Sequence, residues 1–153
     1  MAKKTVKKKV KKKASATKAK TRKKVSSPKP KTQKKKALDA AKAFALAAAK
    51  VAAERHCSDI VVLDLSGKSP ATDYFVIATG TSDRQMRTVA DEICQTAREL
   101  SFQRFGRAGY EQARWILLDF VDVVIHIFDD EYRDYYDLEL LWGDAERLTI
   151  DEG

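Results

Sequence analysis

Between Arg114 and Phe128 the chain alternates with a period of two. Trp115, Leu117 and Asp119 interleave with Ile116, Leu118 and Phe120, and the alternation resumes through Asp122, Val124, His126 and Phe128. That period predicts two paired strands. A two-residue turn at Phe120 and Val121 would set Asp119 opposite Asp122, Leu117 opposite Val124 and Trp115 opposite His126. One sheet face then carries a Trp, a His and two carboxylates, with Phe120 projecting from the hairpin tip.

Upstream, the nearly continuous apolar run Ile60 to Leu65 predicts a central strand covered on both faces, ended by Gly67 and Pro70, and Tyr74 to Thr79 predicts a second such strand. Ser82 and Gln85 form an S-x-x-Q capping box. Behind it, Met86, Val89, Ala90, Ile93, Ala97 and Leu100 recur at spacings of three and four, the stripe of a core-facing helix. An Ala-rich helix is expected from near Ala37 to about Arg55, with Leu38, Phe44, Leu46 and Val51 as its large apolar residues. A short strand is expected between Gly106 and Gly109. A final helix, opened by Asp129, Asp130 and Glu131, is expected to run through Trp142. The pattern is mixed α/β (α+β), a central mixed sheet flanked by helices.

Composition divides this picture in two. Residues 1 to 36 contain 17 Lys and one Arg with no acid, a charge of +18. Residues 37 to 153 contain 12 basic and 22 acidic residues, a charge of −10, so the whole-chain value of +8 describes neither part. Lys clusters with little apolar surface cannot offset the entropy of ordering, so residues 1–36 are expected to be a disordered arm and 37–153 the folded domain. Pro28 and Pro30 stiffen the junction. The clusters Lys7, Lys8 and Lys9, Lys11, Lys12 and Lys13, Lys23 and Lys24, and Lys34, Lys35 and Lys36 can neutralise phosphates, which points to RNA. Cys57 and Cys94 have no metal-ligand spacing, no apolar run approaches the ~20 residues that span a bilayer, and no signal-peptide core follows the basic start. A cytosolic, membrane-free protein is the expectation.

Chemistry is sparsely encoded. Asp119, Asp122 and His126 on one face could hold a divalent metal or move protons, yet Asp beside a turn commonly serves the backbone and a strand His is commonly structural. Gly80, Thr81 and Ser82, after a strand and before a helix, could offer backbone N–H groups to a phosphate. No Walker lysine, G-x-G-x-x-G or G-x-S-x-G accompanies them, and capping explains them better. No cofactor, metal site or catalytic residue is therefore assigned. By contrast, Trp115, Phe120, Tyr132, Tyr135, Tyr136 and Trp142 crowd the last 40 residues, and such residues are enriched at interface hot spots.

Four segments carry a resemblance to a known family: DIVVLDLSGKSPATDYFVIATGTSDRQ from Asp59 to Gln85, GYEQARWILLD from Gly109 to Asp119, DVVIHIF from Asp122 to Phe128, and the R-x-x-Y-x-L-E-x-L-W pattern of Arg133, Tyr136, Leu138, Glu139, Leu141 and Trp142. From about Leu38 to Trp142 the chain resembles the ribosomal silencing factor, or Iojap-like, family. Two positions depart from the family pattern: Ala108 stands where Glu precedes Gly109, and Val121 stands where the hairpin turn usually has Gly. The second departure predicts a different turn, because Val disfavours positive φ.

The resemblance implies a fold similar to the nucleotidyltransferase superfamily without its catalytic motifs. It implies binding to the large ribosomal subunit through its fourteenth protein, which blocks joining of the small subunit and represses translation in poor nutrient conditions. The implied contact residues are Trp115, Asp119, Phe120, Asp122, His126 and Tyr136. A monomer or weak homodimer is expected. The alternatives are a nucleotidyltransferase-like enzyme using Gly80 to Ser82 with Asp119 and Asp122, or a nonspecific nucleic-acid binder driven by the arm.

Overall fold

The computed structural model describes residues 31–150. Helix α1 (Lys31–Glu54) precedes β1 (Ser58–Asp64) and β2 (Tyr74–Thr79), and α2 (Asp83–Glu99) precedes β3 (Gly106–Ala108), β4 (Trp115–Asp119) and β5 (Val123–Phe128). Two short helices, α3 (Asp130–Tyr136) and α4 (Leu138–Leu141), lead to β6 (Glu146–Leu148). The strands form one sheet in the order β3-β4-β5-β2-β1-β6. Only β2 and β5 pair in parallel; the other neighbours are antiparallel. The mixed α/β architecture expected from the pattern is present.

Each sheet face has its own cover. Val62, Tyr74, Val76, Ala78, Ile116, Leu118, Val123, Ile125 and Ile127 meet the apolar stripes of α1 and α2. Helix α1 contributes Ala41, Phe44, Ala45, Ala48, Ala49 and Ala52 to that core, so small side chains let its backbone lie close to the sheet. Leu63, Leu65, Phe75, Ile77, Val124 and Phe128 point the other way, where Leu138 and the partly buried Tyr132, Tyr136, Leu141 and Trp142 pack over them. The aromatic C-terminal helices thus form a second, thinner layer.

Several expectations are corrected by this arrangement. The apolar run at Ile60 to Leu65 is an interior strand with Val62 and Leu63 buried on opposite faces, but β1 lies one place from the edge and its N-terminal half is exposed or half-buried. Edge pairing with β6, three residues with no alternation, was not foreseen. The last helix does not run unbroken, because Asp137 adopts φ 39 and ψ 60 and ends α3 with a left-handed residue. Leu100 leaves the α2 stripe, lying 45 % exposed at the helix end, while Cys94 joins it. Helix α1 begins at Lys31, so Lys34, Lys35 and Lys36 are helical and not part of a disordered arm. The other arm lysines lie outside the described residues.

Candidate functional site: an aromatic ledge on the hairpin face

The hairpin closes one residue later than the alternation predicts. Phe120 N–H donates to Val123 O at 2.9 Å, leaving Val121 and Asp122 as the turn. Asp119 therefore pairs with Val124, Leu117 with His126 and Trp115 with Phe128. A shift of two in register preserves the faces, so Trp115, Leu117, Asp119, Val124, His126 and Phe128 still share one surface. The pairing of Asp119 with Asp122 is lost, because Asp122 is a turn residue whose carbonyl accepts from the N–H groups of Asp73 and Tyr74.

Val121 takes φ 71 and Asp122 N–H donates to Phe120 O at 2.9 Å, the geometry of a positive-φ γ-turn. The valine therefore does not move the turn out of positive φ, contrary to the expectation from its side chain. Asp119 Oδ1 accepts from Val121 N–H at 2.8 Å, so one carboxylate oxygen serves this strained backbone. Phe120 does not project outward. Its side chain is 3 % exposed and meets Phe44 of α1 edge-on, with ring centroids 4.9 Å apart, so it belongs to the core beneath the opposite face.

Trp115, His126 and Tyr136 are brought together. Trp115 Nε1–H donates to His126 Nδ1 at 3.1 Å, and the Tyr136 ring lies 4.8 Å from the Trp115 ring. Phe128 also stacks on Trp115 at 5.0 Å, while Phe75 meets His126 at 4.5 Å and Trp142 at 6.1 Å. Tyr132 and Tyr135 extend the row beside Tyr136 at 5.4 and 5.1 Å. His126 is buried, but Trp115, Tyr132, Tyr135, Tyr136 and Trp142 are only half-buried, and Leu140 at the rim is 70 % exposed. Burial, followed by its Tyr132 and Tyr135 neighbours, pushes the Tyr136 phenol above its ordinary pKa.

Two arginines hold the ledge on the sheet, and the sequence reading passed over both roles. Arg114 forks between Asp129 at 2.8 Å and Glu131 at 2.8 Å and lies 4.3 Å over the Tyr132 ring, joining the start of β4 to that of α3. Hydrogen bonds to those two carboxylates raise its pKa, keeping the cation charged. Arg133 donates to Thr79 Oγ1, Asp59 O and Glu139 Oε1 at 2.9, 2.7 and 2.8 Å, pinning α3 to the ends of β1 and β2. The R-x-x-Y-x-L-E-x-L-W spacing is legible from this geometry: Arg133 and Glu139 tie the ledge down, Leu138 is its buried anchor, and Tyr136 and Trp142 present rings. Gly109, at φ 75, lets the chain pass against the Trp115 carbonyl, into which a Cβ would collide.

Next to the Arg133–Thr79 contact, at the same end of the sheet, the Gly80 and Thr81 N–H groups are used internally and do not face a phosphate. Ser82 Oγ accepts from Gln85 N–H at 3.1 Å, Gln85 Oε1 accepts from Thr81 N–H at 2.5 Å, and Gly80 N–H donates to Phe128 O at 2.8 Å. Capping is the structural role of this segment. Among the described residues, no group of three or more His, Cys, Asp or Glu is arranged to hold a metal. No helix there is long and apolar enough to cross a membrane.

Comparison with known proteins decides the kinship. The family model described as ribosomal silencing factor during starvation matches residues 37–153. The chain belongs to the ribosomal silencing factor family. Ribosomal silencing factor RsfS of Bacillus subtilis is 42 % identical over 106 residues, covering 69 % of this chain and 90 % of that protein. The chloroplastic protein Iojap of Arabidopsis thaliana is 36 % identical over 111 residues, covering 71 % of this chain and 45 % of that protein. Crystal structures of proteins from Bacillus halodurans and Chromobacterium violaceum share the fold, with TM-scores of 0.59 and 0.63 and identities of 34 % and 30 %. These matches cover 71 % and 76 % of this chain, and 95 % and 93 % of the respective structures. The resemblance read from the four sequence segments is thereby established as kinship.

Proposed function

We propose that this silencing factor binds the large ribosomal subunit through its fourteenth protein and excludes the small subunit sterically, repressing translation. The observation that carries the reading is the row of half-buried rings at Trp115, Tyr132, Tyr136 and Trp142, inside the family-matched chain and on the face that α1 and α2 leave uncovered. Aromatic surface held rigid by Arg114 and Arg133 suits a protein partner, because little side-chain entropy remains to be lost on docking. Asp130, Glu131 and Asp134 stand exposed on α3 beside the ledge, and the −10 domain complements a basic ribosomal protein. Exclusion by occupancy needs no turnover, so the protein acts as a regulator in the cytoplasm and not as an enzyme. Its Lys-rich arm contacts ribosomal RNA, adding affinity while the folded domain selects the target.

Cosedimentation of the full chain with isolated large and small subunits tests this function. The protein should travel with the large subunit alone, and subunit joining should fall in proportion to occupancy. Travel with both subunits equally, or loss of joining at far below one protein per subunit, would overturn it.

A further inference from the structure

Arg98 to Arg107 is a basic turn on an acidic domain. The segment contains Arg98, Arg104 and Arg107 against Glu99, and all three arginines are exposed. Arg55, Arg87, Arg114, Arg133 and Arg147 are each paired with a carboxylate. Among the described residues, no ion pair joins Arg98, Arg104 or Arg107 to an acid: Arg98 donates to Gln95, Arg104 approaches only the Cys94 sulfur at 3.9 Å, and Arg107 lies over the Tyr110 ring. Their charge is available to a partner. Between them, Leu100 and Phe105 are 45 % and 46 % exposed, two of the three large apolar side chains so exposed among the described residues.

The backbone here is fixed. Leu100, Ser101 and Phe102 donate to Thr96, Arg98 and Ala97 carbonyls, and Phe105 N–H donates to Asp119 O at 2.7 Å. Phe102 stacks on Phe44 at 4.8 Å, which anchors the turn to α1 and leaves Phe105 at the free edge of β3. Gln85 and Glu92 of α2 bind Arg55 just past the C-terminus of α1, so the two helices run antiparallel. Phe44 therefore lies level with this turn, and the Lys31, Lys34, Lys35 and Lys36 start of α1 continues beyond it along the helix.

We propose that this turn is a docking site for unpaired RNA, in which Phe105 stacks on a base and Arg98, Arg104 and Arg107 bind phosphates. An exposed ring on a hydrogen-bonded backbone, among guanidiniums without ion pairs, provides what a Lys-rich arm lacks, a means of distinguishing single strands from duplex. The Lys-rich start of α1, which continues past this turn, favours RNA over an acidic protein patch.

The test uses the full chain with a fluorescent oligouridylate and an RNA duplex of equal length. Phe105→Ala should lower oligouridylate affinity about tenfold, within the usual worth of one base stack, and leave duplex affinity unchanged. Phe105→Trp should retain single-strand binding, and Arg104→Gln with Arg107→Gln should weaken both probes. Wild-type oligouridylate affinity in a folded Phe105→Ala variant overturns the proposal, as does an equal loss on both probes. Unaltered RNA binding combined with weaker large-subunit binding would assign the turn to a protein partner instead. The ledge is read separately, because these variants leave Trp115 and Tyr136 in place.

Discussion

Trp115 and His126 are diagonal neighbours across the β4–β5 ladder, and the indole N–H donates to the imidazole Nδ1 at 3.1 Å. An indole nitrogen can only donate, so Nδ1 accepts, and the neutral ring carries its proton on Nε2. The imidazole, 3 % exposed, is thereby part of the platform under the aromatic row. It supports the ledge from below.

Trp115→Phe keeps a ring over Phe128 and Tyr136 but removes the donor to a buried nitrogen. The expected cost is about 1–3 kcal/mol of folding stability, read from urea unfolding midpoints, together with weaker large-subunit binding. A midpoint equal to wild type would show that the hydrogen bond contributes nothing.

Phe120→Ala is expected to damage the fold, not a surface. It empties a site packed against Phe44 and should cost about 3–5 kcal/mol. Full stability in this variant would return Phe120 to the exposed tip that the alternation suggested.

Val121→Gly should stabilise the protein. A β-branched residue at φ 71 stores strain of about 1–3 kcal/mol, from which the greater unfolded-state freedom of Gly subtracts about 0.5–1. A net gain of about 1 kcal/mol by denaturant titration is expected, with subunit binding retained. A loss would mean that the Val121 side chain contributes more contact than its backbone costs.

Alkaline pH should weaken the fold in two steps. Burial pushes the Cys57 thiol up to about 11, and burial, followed by the charges of Asp64 and Asp73, pushes the Tyr74 phenol up to about 12. Unfolded, these groups lose their protons near 8.5 and 10. The stabilisation is complete below about pH 8.5 and is lost as pH rises toward 12, because the unfolded chain deprotonates first. Urea midpoints across that range should fall, less steeply for Cys57→Ala at the lower end and for Tyr74→Phe at the upper. Midpoints flat to pH 11 would contradict this.

Period-two alternation made the face of the hairpin readable but not its register, since a shift of two leaves every side chain on the same side. What chose the register was the γ-turn at Val121, stabilised by Asp119, and neither hydropathy nor propensity marks that for a valine. The burial of Phe120 depends on α1, more than 70 residues earlier in the chain, so no local window could reveal it. Capping at Ser82 was legible because its partners lie within four residues. The break at Asp137 and the three-residue β6 were not, because a left-handed Asp and a short polar edge strand leave no periodic mark. Arg133 was visible within a motif, but its reach to Asp59 and Thr79 is set by the tertiary fold.

The parallel junction of β2 with β5 has a consequence during synthesis. Strands β1 and β2 can pair as soon as both have left the ribosome, whereas the other edge of β2, six buried residues from Tyr74 to Thr79, must wait until β5 has been made. A nascent silencing factor therefore passes through a stage with an apolar strand edge unpaired, open to the same strand of a neighbouring chain. Pulse-labelled hydrogen exchange during refolding should find the β1–β2 amides protected before those between β2 and β5, and simultaneous protection would remove that stage.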